Sequence, residues 1–172
     1  MRRIARQLGW IMLICLAVTA GCQKPTAQSS TEDQQAVRDT VVAFQAALKA
    51  RDADKIWALL DSDGQADADR AAKTIRDAYA KASAEKKADQ EKAFGLPGAE
   101  LSELTGKGFL KTNRFHFTFR EVPDSTIDKV TIGGDTATVA YTEADGDKEK
   151  LRLVRQDGKW KLSIDMPKAT QS

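Results

Sequence analysis

The spacing of the apolar residues changes midway along the chain, and this change limits the folds that the chain can adopt. Up to about residue 104, apolar side chains recur every three or four positions, which is typical of amphipathic helices. From Phe115 onwards they recur at every second position, as in strands that bury one face. Helices followed by an antiparallel meander predict an α+β domain, in which the N-terminal helices pack on one face of a curved antiparallel sheet.

Two amphipathic helices are predicted at the start of the domain. Thr31 begins the first helix, because Gln34 stands three positions later and completes a capping box. Asp52 or Asp54 can cap a shorter second helix. The apolar residues that these two helices bury are Val37, Val41, Phe44 and Leu48 in the first, and Ile56, Trp57, Leu59 and Leu60 in the second.

A long polar segment follows the second helix. Residues 61–64 predict a turn, because Asp, Ser and Gly favour turns. Residues 65–94 lack Gly and Pro and are rich in Ala, Lys and Glu, so they predict one long helix from Gln65 to Phe94 whose last turns stand in solvent. A brief helix over 99–104 and a turn at 106–108 complete the helical half.

The second half of the chain predicts short strands separated by turns. Phe115, Phe117 and Phe119 occupy one face of the first predicted strand, which places His116 on the opposite, wetter face. Asp157–Gly158 is a strong signal for a two-residue hairpin turn. The apolar positions of the later strands are Ile127, Val130, Ile132, Ala137, Val139, Tyr141, Leu151, Leu153, Trp160, Leu162 and Ile164.

The N-terminus has the layout of a secretory signal. Arg2, Arg3 and Arg6 give it a positive start, residues 9–18 form an uncharged apolar run, and small residues lead to Cys22. The apolar run is shorter than the roughly 20 residues that cross a bilayer. We therefore expect a cleaved signal and not a permanent transmembrane helix.

The residues Thr19-Ala20-Gly21-Cys22 resemble the lipobox of bacterial lipoproteins. The resemblance implies cleavage before Cys22 and modification of its thiol with diacylglycerol and of its amine with a fatty acid such as palmitate. Gln23 after the cysteine resembles an address for the periplasmic side of the outer membrane, in a cell that has two membranes. The predicted parts of the chain are a signal peptide (1–21), the lipidated cysteine with a flexible tether (22–31) and a single α+β domain (32–172).

Two stretches resemble the nuclear-transport-factor-2-like, or cystatin-like, superfamily, and in particular its uncharacterised lipoprotein members. Val37–Leu60 is similar to the opening helix pair of that superfamily, and Lys129–Tyr141 with Leu151–Leu162 is similar to its closing strands. The resemblance implies a cone, in which the curved sheet wraps around helices and can enclose a pocket. The side chains most suited to line such a pocket are Trp57, Tyr79, Tyr141 and Trp160, although filling the core is the favoured explanation for them.

The composition excludes several classes of function. Without the three signal arginines the chain has 24 basic and 25 acidic side chains, which argues against a strongly basic partner-binding surface and against nucleic acid. One His and two Cys are too few for a zinc cluster. Asp61, Asp63, Asp67 and Asp69 do not fit a calcium loop around Gly64, because its first and last ligand positions would be Leu and Arg. No metal or cofactor is expected.

Three hypotheses for function follow. The first is a lipid-anchored, non-catalytic envelope protein whose cone domain binds a protein partner or a small ligand. The second is a small enzyme of the dehydratase or isomerase type, in which a buried Asp or Tyr would act inside the cone; no stretch matches the catalytic motifs of such enzymes. The third is an assembly role, in which the long helix from Gln65 to Phe94 docks on another envelope protein.

Overall fold

The computed structural model describes residues 31–169, so the predicted signal peptide, Cys22 and the tether before Thr31 lie outside the described residues. The helices come first along the chain, and a 3-10 turn at Val122–Asp124 follows them. Their bounds are α1 (Thr31–Ala50), α2 (Ala53–Leu59), α3 (Ser62–Lys81), α4 (Ala84–Phe94), α5 (Gly98–Ser102), α6 (Gly106–Phe109) and α7 (Asn113–Thr118).

The strands form one antiparallel meander in chain order, and α1 packs against it. They are β1 (Thr126–Gly133), β2 (Thr136–Thr142), β3 (Lys148–Gln156) and β4 (Lys159–Leu162). The hairpin turn between β3 and β4 is the predicted one, with Gly158 at φ 73°. Helices followed by an antiparallel sheet confirm the α+β class that the change of periodicity predicts.

One part of the core lies between α1 and one face of the sheet, and it continues among the other helices. The predicted stripe of α1 is buried, as are the alternating positions Val139, Leu151 and Leu153 of the sheet. Phe44 of α1 meets the edge of Phe119, with 5.9 Å between ring centroids. Periodicity predicted these residues correctly because each of these elements buries one face along its whole length.

The strand predicted around Phe115 is wrong, because this segment is the helix α7. The hydroxyl of Thr112 accepts a hydrogen bond from the Phe115 N–H and so begins a helix. In a helix, positions 115 and 119 share a face and position 117 lies away from it. Phe115 is accordingly buried, Phe119 packs against the core, and Phe117 is 68% exposed.

The single long helix predicted over 65–94 is also wrong. Ala82 and Ser83 have extended backbones, which separate α3 from α4, and Ser83 accepts a hydrogen bond from the Lys86 N–H as the N-cap of α4. The predicted turn at 61–64 is instead the start of α3. The buried carboxylate of Asp61 accepts a hydrogen bond from the Gly64 N–H at 2.7 Å and caps this helix.

The turn predicted at 106–108 is the one-turn helix α6. The Thr105 hydroxyl accepts a hydrogen bond from the Gly108 N–H at its start. Asp69 of α3 accepts another from the Gly106 N–H at 2.9 Å, which joins α6 to α3.

Candidate functional site

A groove of about 790 Å³ opens between three helices of the described domain. Its apolar surface comes from aliphatic and aromatic side chains of α3, α4 and α7, and its polar groups come from the same helices. Pro167 and Ala169, which follow the last strand, close one side. The helical residues that line the groove are Thr74, Ile75, Ala78, Asp89, Gln90, Ala93, Phe94, Asn113, Arg114, Phe117 and Thr118.

Phe117 is the largest apolar side chain that the groove exposes. Its ring is 68% exposed, and the guanidinium of Arg120 lies 4.5 Å from the ring centroid. Exposing a phenylalanine forgoes the roughly 1.5–3 kcal/mol that its burial would contribute. The residue is therefore a candidate contact for a bound molecule.

Gln90 and Asn113 are two of the polar side chains of the groove, which also include the charged Asp89 and Arg114. The Oε1 atom of Gln90 is buried, and no hydrogen-bond donor reaches it from the described part of the chain. The carboxamide oxygen of Asn113 accepts a hydrogen bond from Arg51 at 3.3 Å. A buried acceptor without a donor costs about 1–3 kcal/mol, so a ligand N–H or O–H would gain by pairing with this oxygen once the Gln90 side chain turns it towards the groove.

The four side chains predicted as possible pocket lining lie elsewhere. None of them lines the groove that α3, α4 and α7 form. Trp57 is half-buried on α2, and its carbonyl accepts a hydrogen bond from Gln65 at 2.8 Å. Tyr79 is buried on α3. Tyr141 and Trp160 both lie on the core face of the sheet, where the Arg155 guanidinium stacks 4.5 Å from the centre of the Trp160 ring.

Asp61, Tyr141 and His116 are buried or half-buried groups of the types that enzymes use. Asp61 caps α3. Burial, together with the carboxylates of Glu143 and Glu149, raises the pKa of Tyr141 to about 12. Burial lowers the pKa of His116, and the nearby guanidinium of Arg51 lowers it further. His116 is half-buried on α7 and meets the edge of the Phe115 ring.

Metal-binding and membrane-spanning features are absent from residues 31–169. No three His, Cys, Asp or Glu side chains in this range lie close enough together to hold a metal ion. No helix of the same range is long and apolar enough to cross a membrane.

The outward face of the sheet carries a concentration of positive charge, which the near-neutral net charge did not predict. We name this set of five exposed side chains the cationic face. None of them makes an ion pair with another described residue. The net charge of the whole chain does not reveal this face, because it does not show that the strands place their cations on one side. The cationic face consists of Lys129, Lys148, Lys150, Arg152 and Lys159.

The groove residues were missed because their signal is short. Phe115, Phe117 and Phe119 fit a strand by alternation, but Thr112 three positions before Phe115 is also an N-cap signal. A helix beginning there would have put Phe117 on the exposed side. Gln90 gave no signal, because its surroundings depend on residues of other helices.

No protein-family model, curated protein or solved structure matches this chain. The resemblance to the nuclear-transport-factor-2-like superfamily therefore stays a prediction from the sequence.

Proposed function

We propose that this chain is a lipid-anchored protein of the cell envelope whose domain binds a small amphipathic ligand in the groove between α3, α4 and α7. The anchor would be the acylated Cys22 of the lipobox-like segment. The observation that carries the binding proposal is the open groove with Phe117 exposed in it.

The dimensions and lining of the groove support a small ligand. Its volume of about 790 Å³ falls in the range of roughly 300–1,000 Å³ that ligand sites occupy. Ile75, Phe94 and Phe117 offer an apolar surface, while Gln90 offers an acceptor. A molecule with an apolar ring system and a hydrogen-bond donor suits this combination.

We propose further that the domain is not an enzyme and that the sheet and α1 form the cone of the nuclear-transport-factor-2-like superfamily. The cap that Asp61 makes with Gly64, at 2.7 Å, favours a structural role for this buried carboxylate. The groove proposed for the ligand contains no strand residue, so it would lie outside such a cone.

Binding can be tested with anilinonaphthalene sulfonate, a dye with apolar rings and one N–H donor. The protein would be residues 22–172 with Cys22→Ser, so that no acyl chain competes for the groove. We expect fluorescence to rise on binding, and Phe117→Ser and the groove-filling Ala93→Trp each to weaken the affinity about tenfold.

Val42→Ser is the matched control, because Val42 is an exposed apolar residue, 52% accessible, on α1 and away from the groove. Equal dye affinity in Phe117→Ser and Val42→Ser would disprove binding in the groove. Circular dichroism of each variant would show whether the fold is retained.

The anchor is tested separately by substituting each cysteine in the full chain. Cys22→Ala should abolish acylation and move the protein out of the membrane fraction, whereas Cys15→Ala should leave it there, because Cys15 lies within the predicted signal. Membrane association that survives Cys22→Ala after signal cleavage would contradict lipid anchoring.

A further inference from the structure

We propose that the cationic face of the sheet docks on the anionic phospholipid surface to which the protein is anchored. The proposal rests on the anchoring part of the proposed function and is independent of ligand binding in the groove. Such docking would hold the domain in one orientation on the membrane, whereas a domain attached by its tether alone could rotate freely.

The strand register explains why the cations share one face. Val139, Leu151 and Leu153 point to the core, so Lys148, Lys150 and Arg152 of β3, at alternate positions, point outward. Alternate residues of a strand are about 6–7 Å apart, so these three charges form a line down the middle of the sheet.

The flanking strands widen this line into a patch. Lys129 of β1 and Lys150 of β3 both pair with Ala140, a small residue that separates the two cations without covering them. Lys159 of β4 pairs with Gln156 of β3 near the end of the sheet. The patch is therefore broad and shallow, which suits a surface better than an enclosed ligand.

Hydroxyl groups stand between the cations. Thr138 pairs with Arg152 on one side and with Thr131 on the other, and both threonines are exposed. Lysine and arginine bind phosphate through charge-assisted hydrogen bonds, and threonine hydroxyls can donate to the same oxygens. The chemistry of the face thus matches the phosphate groups of lipids.

Little negative charge opposes the cations within the strands. Asp128 is the carboxylate that shares the outward face, at an irregular position of β1, and it accepts a hydrogen bond from Thr142 at 2.7 Å. Glu149 lies within β3 opposite Tyr141, on the core-facing side of the strand, and the other carboxylates near the sheet lie in or beside its turns, at the two ends and not over the middle: Asp135, Glu143, Asp145, Asp147 and Asp157.

The anchor keeps the face close to a membrane. Eight residues, 23–30, separate Cys22 from α1, and at roughly 3.3–3.6 Å per residue they reach at most about 30 Å. Asp33, near the start of α1, pairs with Arg155 at the end of β3, so α1 begins at this end of the sheet. A cationic patch held at this distance can come within the Debye length of about 8 Å of anionic headgroups.

The test places an environment-sensitive dye on the face of the full chain. Thr138→Cys carries the dye at the centre of the face, and Glu103→Cys carries it at an exposed position on the helical side. Each protein, acylated by a bacterial host, is reconstituted into vesicles of phosphatidylcholine alone or with added phosphatidylglycerol. Acrylamide, an uncharged quencher, then measures how well water reaches the dye.

We expect phosphatidylglycerol to lower the quenching constant at Thr138→Cys at least threefold and to leave that at Glu103→Cys unchanged. Salt at about 1 M, where the Debye length is about 3 Å, should reverse the shielding. The triple variant Lys148→Gln, Lys150→Gln, Arg152→Gln should abolish it. The matched variant on α3 and α4 removes the same number of positive charges and should retain the shielding of the dye. It carries Lys81→Gln, Lys86→Gln and Lys92→Gln.

Two results would overturn the proposal. The first is equal quenching at Thr138→Cys on both kinds of vesicle, and the second is equal loss of shielding in the two triple variants. Flotation of the protein with phosphatidylcholine vesicles reports the anchor alone, so failure of the anchor and failure of the cationic face are distinguished.

Discussion

Tyr79 of α3 donates a hydrogen bond to Glu91 of α4 at 2.6 Å, across the break that separates the two helices. This hydrogen bond raises the pKa of Tyr79, and burial raises it further. Tyr79 and Glu91 are next in sequence to Ala78 of α3 and Gln90 of α4, and these two neighbours line the groove from different helices. The pair therefore joins α4 to α3 next to two residues that line the groove.

Tyr79→Phe should loosen the contact between α3 and α4. We expect a lower melting temperature and weaker dye binding in the groove, because the phenyl ring keeps the packing but has no hydroxyl donor. Glu91→Ala should have a similar effect, and the double variant should be little worse than either single one, since both lose the same interaction.

Glu91→Gln is the matched control for this pair, because its amide oxygen can still accept the hydrogen bond from Tyr79. It should stay close to the native protein in both measurements. Additive losses in the double variant would show that the two side chains stabilise the domain independently.

Local patterns predicted the elements whose environment is uniform along their length. The apolar stripe of α1 and the alternation of β2 each run over seven or more residues, so the periods are unambiguous. The turn residues at 157–158 marked the end of β3 and the start of β4. The α+β class and the core residues of the sheet follow from these signals alone.

The features that escaped prediction depend on few residues or on distant ones. Six residues around Phe117 fit both a strand and a helix, and it takes contacts with distant residues, such as that of Phe119 with Phe44 on α1, to show which face is buried. The break at Ser83 stands among strong helix formers, so composition favours continuity there. The groove joins helices that are far apart in sequence, which no local pattern records.

Two glycines of α6 should respond oppositely to the same substitution. A methyl group at Gly106 would lie 2.8 Å from the backbone nitrogen of Asp69, so Gly106→Ala should force α6 away from α3 and cost about 1–3 kcal/mol. At Gly108 the nearest atom would be the flexible end of Leu104 at 3.1 Å. Gly108→Ala should be neutral or slightly stabilising, because alanine favours helix. Urea unfolding compares them, and equal costs would contradict close packing between α6 and α3.

The two tyrosines of the chain should ionise at a higher pH in the folded protein than in the unfolded chain. Tyr141 has a pKa of about 12 because of burial, and Tyr79 has a raised pKa because of its hydrogen bond to Glu91. An unfolded tyrosine ionises near pH 10, so the neutral folded forms contribute stability that is complete below about pH 10. This stability is lost as the pH rises from 10 towards 12.

Tyrosinate absorbance measures this directly in the folded chain and in urea. We expect less tyrosinate at pH 10 in the folded protein than in urea, where about half of the tyrosine ionises. Tyr141→Phe should remove the tyrosine ionisation that occurs at the higher pH. Half ionisation at pH 10 in both conditions would show that neither hydroxyl is shielded as the structure indicates.

Gln90→Leu should stabilise the unliganded domain while weakening ligand binding. The substitution removes a buried acceptor that has no donor within the described residues, and leucine is a good helix former on α4. We expect a gain of about 1 kcal/mol in the free energy of unfolding, at the lower end of what such an acceptor costs.

Affinity for the dye should fall several-fold in Gln90→Leu, because the N–H of the dye loses the acceptor that Gln90 supplies. Urea unfolding and a fluorescence titration of the same samples measure both quantities. A variant that lost stability and bound the dye as tightly as the native chain would show that Gln90 packs in the domain and plays no part in the groove.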